Sequence, residues 1–421
     1  MRTAYDKLGA EALAGGAVDD PAVDEVAGGW RGTLGLIGLI ALLIWLATVN
    51  IWWFVFVIGL LISVILHELG HFLTARWTGM KATQFFIGFG PRLWSMRRGE
   101  TEYGVRVLPL GAFVRIVGMS NLDEVEPGDE SRTYRSKSYP RRILVITAGS
   151  LMHVLIAISL LFVVYTLAGE NQLRDGAQVS FVEPSGPAAA AGIRTGDVVL
   201  GVGGVAVADP AELGEAIRAN RPGEVVELDV VRDGAAVSIP VGLGANTDES
   251  SALFGQPYIG VASGSVVEQV ELSVPAAAVR SVTSLGPVVW ESTKGIVRVI
   301  NPVNVFTHLT GQNDDLMTRP TTLVGVTAIS DDVGESQGFL GVLYLLAVLN
   351  IFVGVFNMFP LLPLDGGHAA VATYERLRER NGQRYYADMA KLMPLTMGVI
   401  AVLLFLFMTG LYLDITDPLG G

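Results

Sequence analysis

His67-Glu68-Leu69-Gly70-His71 packs two imidazoles and a carboxylate into five residues at the end of an apolar run. On a helix, His67 and His71 stand four apart on one face, so both rings can reach one tetrahedral zinc ion. Glu68 projects beside them and can take a proton from a water that the zinc polarises. The stretch before the motif, Phe54 to Leu66, carries no charge. A soluble metalloprotease would set the same motif on an amphipathic helix. Here the pattern places hydrolytic zinc chemistry inside a lipid bilayer or at its edge.

A catalytic zinc normally takes a third protein ligand and keeps one position open. The chain has no cysteine, so that ligand is a carboxylate or a histidine. Phe356 to His368 stands out: an apolar helix reaches Asn357, breaks over Pro360 and Pro363, and meets Asp365, Gly366 and Gly367. Non-helical backbone at membrane depth is tolerated only where protein buries it or water reaches it, and polar groups there are functional candidates. Asp365 is therefore the expected third ligand, the competing role being an N-cap for the helix that follows. Asn357 is expected to face the same cavity, where it could donate to a substrate carbonyl or oxyanion, or serve a structural hydrogen bond to the broken helix. His153 either packs between helices or faces the zinc cavity. His368 is left out of the metal set, because a fourth protein ligand would close the site. His308 is expected to be uninvolved.

The elements that must position these groups are membrane helices. Of 421 residues, 51% are apolar and only 17% charged, and the apolar ones cluster in long uncharged runs. The net charge of −12 argues against a nucleic-acid partner. Good spans run from Ile143 to Leu167, Phe339 to Phe359 and Leu392 to Leu413. Each is close to the roughly 20 residues that cross about 30 Å of hydrocarbon. Leu34 to Ala47 is shorter, and Thr48-Val49-Asn50 separates it from Ile51 to Thr74. A helical hairpin is the favoured reading of that pair, against one long tilted helix. The first 30 residues, acidic and rich in Ala and Gly, lack the basic start and early apolar core of a signal peptide. Residues 1–32 read as a disordered cytoplasmic tail.

Twelve of the 29 basic residues fall between Arg76 and Arg142, and Arg376, Arg378, Arg380, Arg384 and Lys391 form a second group. Both loops are expected on the cytoplasmic side, and the segment from Ala168 to Gly338, with nine, outside. Five crossings then put the N-terminus inside and the zinc motif near the cytoplasmic end of its helix. Gln84 to Ile87 and Glu102 to Leu108, with a turn at Arg98-Gly99, suggest a small cytoplasmic hairpin that dips towards the bilayer.

The external part opens with a compact α+β domain over residues 170–245. Its strands are Gln178 to Glu183 and Asp197 to Val202, and Val225 to Arg232 pairs with Ala235 to Pro240 over Asp233-Gly234. A short helix from Ala188 to Ala191 closes at Gly192, and another from Pro210 to Asn220 opens at Asp209. Residues 246–338 read as a linker. In it Val279, Val282, Leu285, Val289, Ile296 and Ile300 mark an amphipathic helix on the outer membrane surface, interrupted at Gly286-Pro287.

These motifs resemble the site-2 protease family, intramembrane zinc metalloproteases of regulated proteolysis. His67 to His71 is similar to its first signature. Asn357 to Asp365-Gly366 is similar to its second, an Asn-x-x-Pro followed by Leu-Asp-Gly. Phe89-Gly90-Pro91 and Leu108-Pro109-Leu110-Gly111 look like its cytoplasmic β-loop. Pro187-Ala188-Ala189, Gly192-Ile193 and Gly196-Asp197 look like the PDZ domain of bacterial members. The resemblance covers Ile51 to Leu413. It implies Zn2+ held by His67, His71 and Asp365, Glu68 as general base, and Asn357 helping to hold substrate. It also implies cleavage of single-span membrane proteins, such as anti-sigma factors or signal-peptide remnants, with the PDZ-like domain screening size or a new C-terminus. Two departures stand out: Ala148-Gly149-Ser150-Leu151-Met152-His153 replaces the family's Ala-Gly-Pro-x-x-Asn, and the N-terminal tail and apolar segment before Ile51 lack a counterpart in many members.

The resulting expectation is a polytopic α-helical membrane protein of the inner (plasma) membrane. It has four core transmembrane helices, and a fifth at the N-terminus if Leu34 to Ala47 crosses. Residues 33–167 and 339–421 form the membrane parts, with a cytoplasmic β-loop and one inserted external PDZ-like domain. Small exposed strands would grip an unwound substrate by β-addition, with Glu102 to Leu108 as the candidate edge. Two rival readings are a zinc transporter, which would repeat acidic and His residues along several helices, and a membrane-tethered PDZ adaptor with a non-catalytic metal site.

Overall fold

The structure, a computed structural model, describes residues 30–119, 125–247, 253–313, 315–380 and 383–418. Most of the expected tail, residues 1–29, lies outside them. The chain divides into two compact units. One joins residues 1–165 to 274–421, and the other is Thr166–Ser273.

Among the described residues of the larger unit, five helices are long and apolar enough to cross a membrane. They are α1 (Trp30–Val49), α2 (Ile51–Trp77), α3 (Tyr139–Leu167), α9 (Leu323–Asn357) and α11 (Met389–Thr416). Ile37, Ile40, Ile44 and Trp45 of α1 are exposed, as are Leu404, Phe405 and Phe407 of α11. So many bare apolar side chains on one surface fit hydrocarbon as the surrounding medium. The short Leu34 to Ala47 segment lengthens into the whole of α1. Asn50 ends it and caps α2, its Oδ1 accepting from the N–H groups of Trp52 (2.9 Å) and Trp53 (3.0 Å). A straight continuation would hold Gly35 about 60 Å from Trp77. Instead Gly35 lies against Leu93 of β1 (Ala82–Arg98), the strand that follows α2. The pair is thus a hairpin.

Helix α9 is two helices end to end, divided at Gly338, whose φ of 67° is a left-handed value open to glycine. Its second part, residues 339–357, packs Val342 and Leu346 against Phe56 of α2. At its other end, buried Asp414 of α11 accepts hydrogen bonds from the N–H groups of Thr322 (2.7 Å) and Gly325 (3.1 Å), tying α9 to α11. Before α9 come α6 (Val274–Thr283), α7 (Leu285–Ile300) and α8 (Pro302–Leu309). The expected break at Gly286-Pro287 falls instead at Ser284. Pro287 sits in the first turn of α7, where its missing N–H costs no helical bond.

The β-loop is larger than the alternation suggested, with β1 and β2 (Thr101–Ile116) each doubling over. Phe85 pairs with Tyr103 on one side and Val114 on the other, and Tyr103 pairs in turn with Met96. The rows therefore run 94–98, 101–105, 84–87, 112–116. This overturns the expected edge at Glu102 to Leu108, because Glu102 to Val105 is flanked on both sides. The outer rows are Trp94 to Arg98 and Ala112 to Ile116. Local alternation shows that a run is a strand, but not which partners a folded-over strand will find.

A cluster of Ala75, Met80, Ile116, Tyr134, Val145 and Ala372 joins the end of α2, the β-loop, α3 and α10 (Asp365–Arg378). Arg142 of α3 pairs with Glu375 of α10, both buried, and its guanidinium lies 4.9 Å from the centre of the Tyr134 ring. The other Glu375 oxygen accepts from the Ala387 N–H at 2.8 Å. This clamp fixes α10, whose first residue is Asp365, against α3.

Among the described residues the smaller unit holds, beside a short pair of β8 (Gly244–Ala245) and β9 (Pro257–Tyr258), a six-stranded sheet. Its order is β10 (Val261–Val270), β3 (Glu170–Val182), β4 (Val198–Val202), β6 (Val225–Arg232) and β7 (Ala235–Gly242), with β5 (Val205–Ala206) on β4. Helices α4 (Pro187–Ala191) and α5 (Pro210–Arg218) accompany it over a core that includes Val179, Val199, Leu213, Leu228 and Val241. Gly192 closes α4 at φ 82°, and Asp209 caps α5 through the Glu212 N–H at 2.9 Å. Arg232 grips buried Asp197 with two bonds of 2.8 and 2.7 Å and holds that carboxyl below the usual carboxylate range. The unit runs past residue 245, where the sequence reading closed it, because β10 pairs with β3 along its length. That strand is too exposed to leave a core-facing alternation in the sequence.

Candidate metal centre

Because α2 is helical through the motif, His67 and His71 fall on one buried face, and their Nε2 atoms stand 3.1 Å apart. His71 Nδ1 lies 2.8 Å from the Val145 carbonyl of α3, its hydrogen-bond acceptor. The proton is thereby held on Nδ1, and the Nε2 lone pair stays free. Asp365 arrives from the other end of the chain. Leu364, not Asp365, is the N-cap of α10, which sets aside the capping role weighed for this aspartate. Its helix begins directly on the broken segment before it. A Cβ on Gly366 would lie 2.2 Å from the Met358 oxygen, and one on Gly367 2.4 Å from the Leu362 nitrogen. Only glycine permits that approach.

Asp365 Oδ2 lies 3.5 Å from His67 Nε2 and 3.3 Å from His71 Nε2. Among the described residues these three form the one group of His and carboxylates that could hold a metal ion, all within 4.8 Å of one another. The triangle of 3.1, 3.3 and 3.5 Å fits zinc. Tetrahedral bonds of about 2.0–2.1 Å put neighbouring donor atoms about 3.3–3.4 Å apart. Asp365 Oδ2 is also buried without a hydrogen-bond donor, a costly state that a cation relieves. Glu68 Oε1 stands 3.9 Å from His67 Nε2, beside the triangle and outside it.

Other groups close around this centre. Gly149 of α3 leaves the space the ligands need, since a Cβ there would lie 2.4 Å from both His67 Cε1 and His71 Nε2. The Val114 backbone N–H, on an outer row of the β-loop, is directed at the Glu68 carboxylate. His153 packs between helices beside this centre: its ring centre is 4.9 Å from that of His67, and its Nδ1 is 2.8 Å from Asn350 Oδ1. Asn350 bonds in turn to Ser63. The sequence reading missed Asn350 and Ser63, although Asn350, alone and polar in an apolar run, carried the same signal that singled out Asn357. Gly149 and Val114 carried no such signal, since their parts depend on what lies opposite them.

Asn357 ends α9, half-buried, and its side chain makes no hydrogen bond among the described residues. His368 is buried but outside the donor group, lining a small cavity with Tyr134, Arg142 and Glu375. His308 bonds to Thr318 at 2.9 Å.

The sequence model of peptidase family M50 matches residues 55–406. Zinc metalloprotease Rip1 of Mycobacterium tuberculosis is 32% identical over 396 residues, covering 86% of this chain and 97% of that protein. Rip1 of Mycolicibacterium smegmatis is 31% identical over 396 residues, 87% of this chain and 97% of its own. The solved PDZ domain of an SdrC-like protein from Listeria monocytogenes aligns with 21% of this chain and 87% of its own, at 25% identity and a TM-score of 0.19. With both halves of the His and carboxylate cluster inside the matched span, the chain belongs to peptidase family M50, the site-2 protease family, as a zinc metalloprotease.

Proposed function

We propose that this zinc metalloprotease cuts single-span membrane proteins within the bilayer, with His67, His71 and Asp365 holding the zinc, Glu68 as general base and Asn357 holding substrate. The observation that carries this reading is the donor triangle with Glu68 beside it, set in a helix apolar enough to cross a membrane. When bound, zinc acidifies a water to a pKa of about 7 and polarises a carbonyl. Glu68, beside the triangle, would serve as the base that takes a proton from the attacking water and passes it to the leaving amine. The unengaged amide of Asn357 is available to a peptide carbonyl.

A transmembrane helix hides its carbonyls in its own hydrogen bonds, so substrate must unwind first. The row from Ala112 to Ile116 suits that step, as an outer row of the loop with the Val114 N–H aimed at Glu68. An unwound strand added there would lie beside the base. Val114→Pro removes that outward N–H while leaving the bonds to β1 on the other side, as edge strands allow. It should lower kcat/KM at least about tenfold with the fold intact. Unchanged kcat/KM would exclude this edge.

Membership of the site-2 protease family supports anti-sigma factors or signal-peptide remnants, already cut outside the membrane, as the class of substrate. The basic loops support a reading with the β-loop and the zinc end of α2 at the cytoplasmic face of the inner membrane and Thr166–Ser273 outside. That unit we read as PDZ-like, with a groove between α5 and residues 257–263 open to a peptide C-terminus. The protease reading is tested by purifying the chain and following cleavage of a tagged single-span substrate. Wild type should carry about one zinc per chain and lose cleavage to a chelator, while Asp365→Ala should lose zinc. Cleavage by zinc-free Asp365→Ala would overturn it.

A further inference from the structure

Behind the ligands a chain of hydrogen bonds crosses three helices, and every proton in it has a place. Ser63 Oγ of α2 donates to the Gly59 carbonyl at 2.9 Å, which leaves its lone pairs to accept. Asn350 Nδ2 of α9 donates to Ser63 Oγ at 3.1 Å and to the Leu346 carbonyl at 2.8 Å. Both amide protons are thus spent, and a flipped amide would set two carbonyl oxygens against each other. Asn350 Oδ1, the remaining acceptor, faces His153 Nδ1 of α3 at 2.8 Å. The proton between them therefore belongs to His153 Nδ1. Ser63, Asn350 and His153 are all almost wholly buried, at 2%, 1% and 1% exposure. The His153 ring also meets that of His67, tilted by 42° at 4.9 Å between centres.

We propose that the Ser63–Asn350–His153 chain fixes the rotamer and tautomer of His153 so that its ring braces His67, making His153 a positioning residue for the first zinc ligand. The inference rests on the metal site proposed above. An asparagine, which the family pattern places at this position, is too short to fill the same place against His67.

Cobalt in place of zinc tests it, because cobalt absorption reports ligand geometry without any cleavage. Wild type, His153→Asn, His153→Ala and Asn350→Leu are each loaded with Co2+, and zinc affinity is measured by chelator competition. The expected result is a shifted cobalt spectrum and a roughly tenfold or greater loss of zinc affinity in all three variants, with cleavage reduced in kcat rather than KM. Asn350→Leu should match His153→Ala, and the double variant should be no worse than either. Spectra and affinities identical to wild type would overturn the positioning role. Failure of wild type itself to bind cobalt or zinc would instead overturn the metal site.

Discussion

Glu68→Gln should abolish cleavage while leaving zinc in place. The amide keeps the shape of the carboxylate but cannot take a proton, and general acid–base catalysis typically supplies about 10²–10⁴-fold. A loss of at least about a hundredfold in kcat/KM is therefore expected. Zinc content should not change, because Glu68 is no member of the donor triangle, and its Oε1 lies 3.9 Å from His67 Nε2. The measurement is cleavage of a tagged single-span substrate by purified wild type and variant, with zinc quantified in both. Loss of zinc together with activity would make Glu68 a ligand. Full activity with zinc retained would place the base elsewhere.

Gly149→Ala should separate the metal from the fold. The added methyl would lie 2.4 Å from ring atoms of both histidines, and contact this close forces something to move. Met152 and Ala148 of α3 already approach Gly70 of α2 within van der Waals range, so the helices have little room to part. The rings must turn instead, and their Nε2 atoms then no longer converge. Zinc affinity should fall about 10–100-fold, the range seen when groups that orient ligands are changed. Helical content should be retained. Gly398→Ala in α11 is the control, since nothing lies within 4 Å of a Cβ there. That variant should keep zinc affinity unchanged. Equal affinities for both variants would mean that α3 does not shape the site.

The sequence alone marks the candidate metal-binding residues and most of the helices long and apolar enough to cross a membrane. His67, Glu68 and His71 are legible because helical spacing is local, so residues four apart share a face whatever surrounds them. Asp365, which the structure brings to the two histidines, stands out because a polar group amid prolines in an apolar run is costly unless it does something. The start of the span at Phe339 was legible too, since Gly338 interrupts the helix just before it. Hairpin turns over Asp233-Gly234 and Arg98-Gly99 follow from glycines that accept positive φ.

Tertiary structure decided which strangers in sequence became neighbours. The order of rows in the β-loop, the β10 strand joined to β3, and the Ser63–Asn350–His153 chain depend on pairings between residues as many as 287 apart. No local pattern encodes such a pairing, because a strand edge or a buried amide accepts any partner of suitable geometry. Gly149 is the sharpest case. Read along the chain it is one of 50 glycines. Only the packing of α3 across α2 makes its missing methyl group the space in which His67 and His71 meet Asp365.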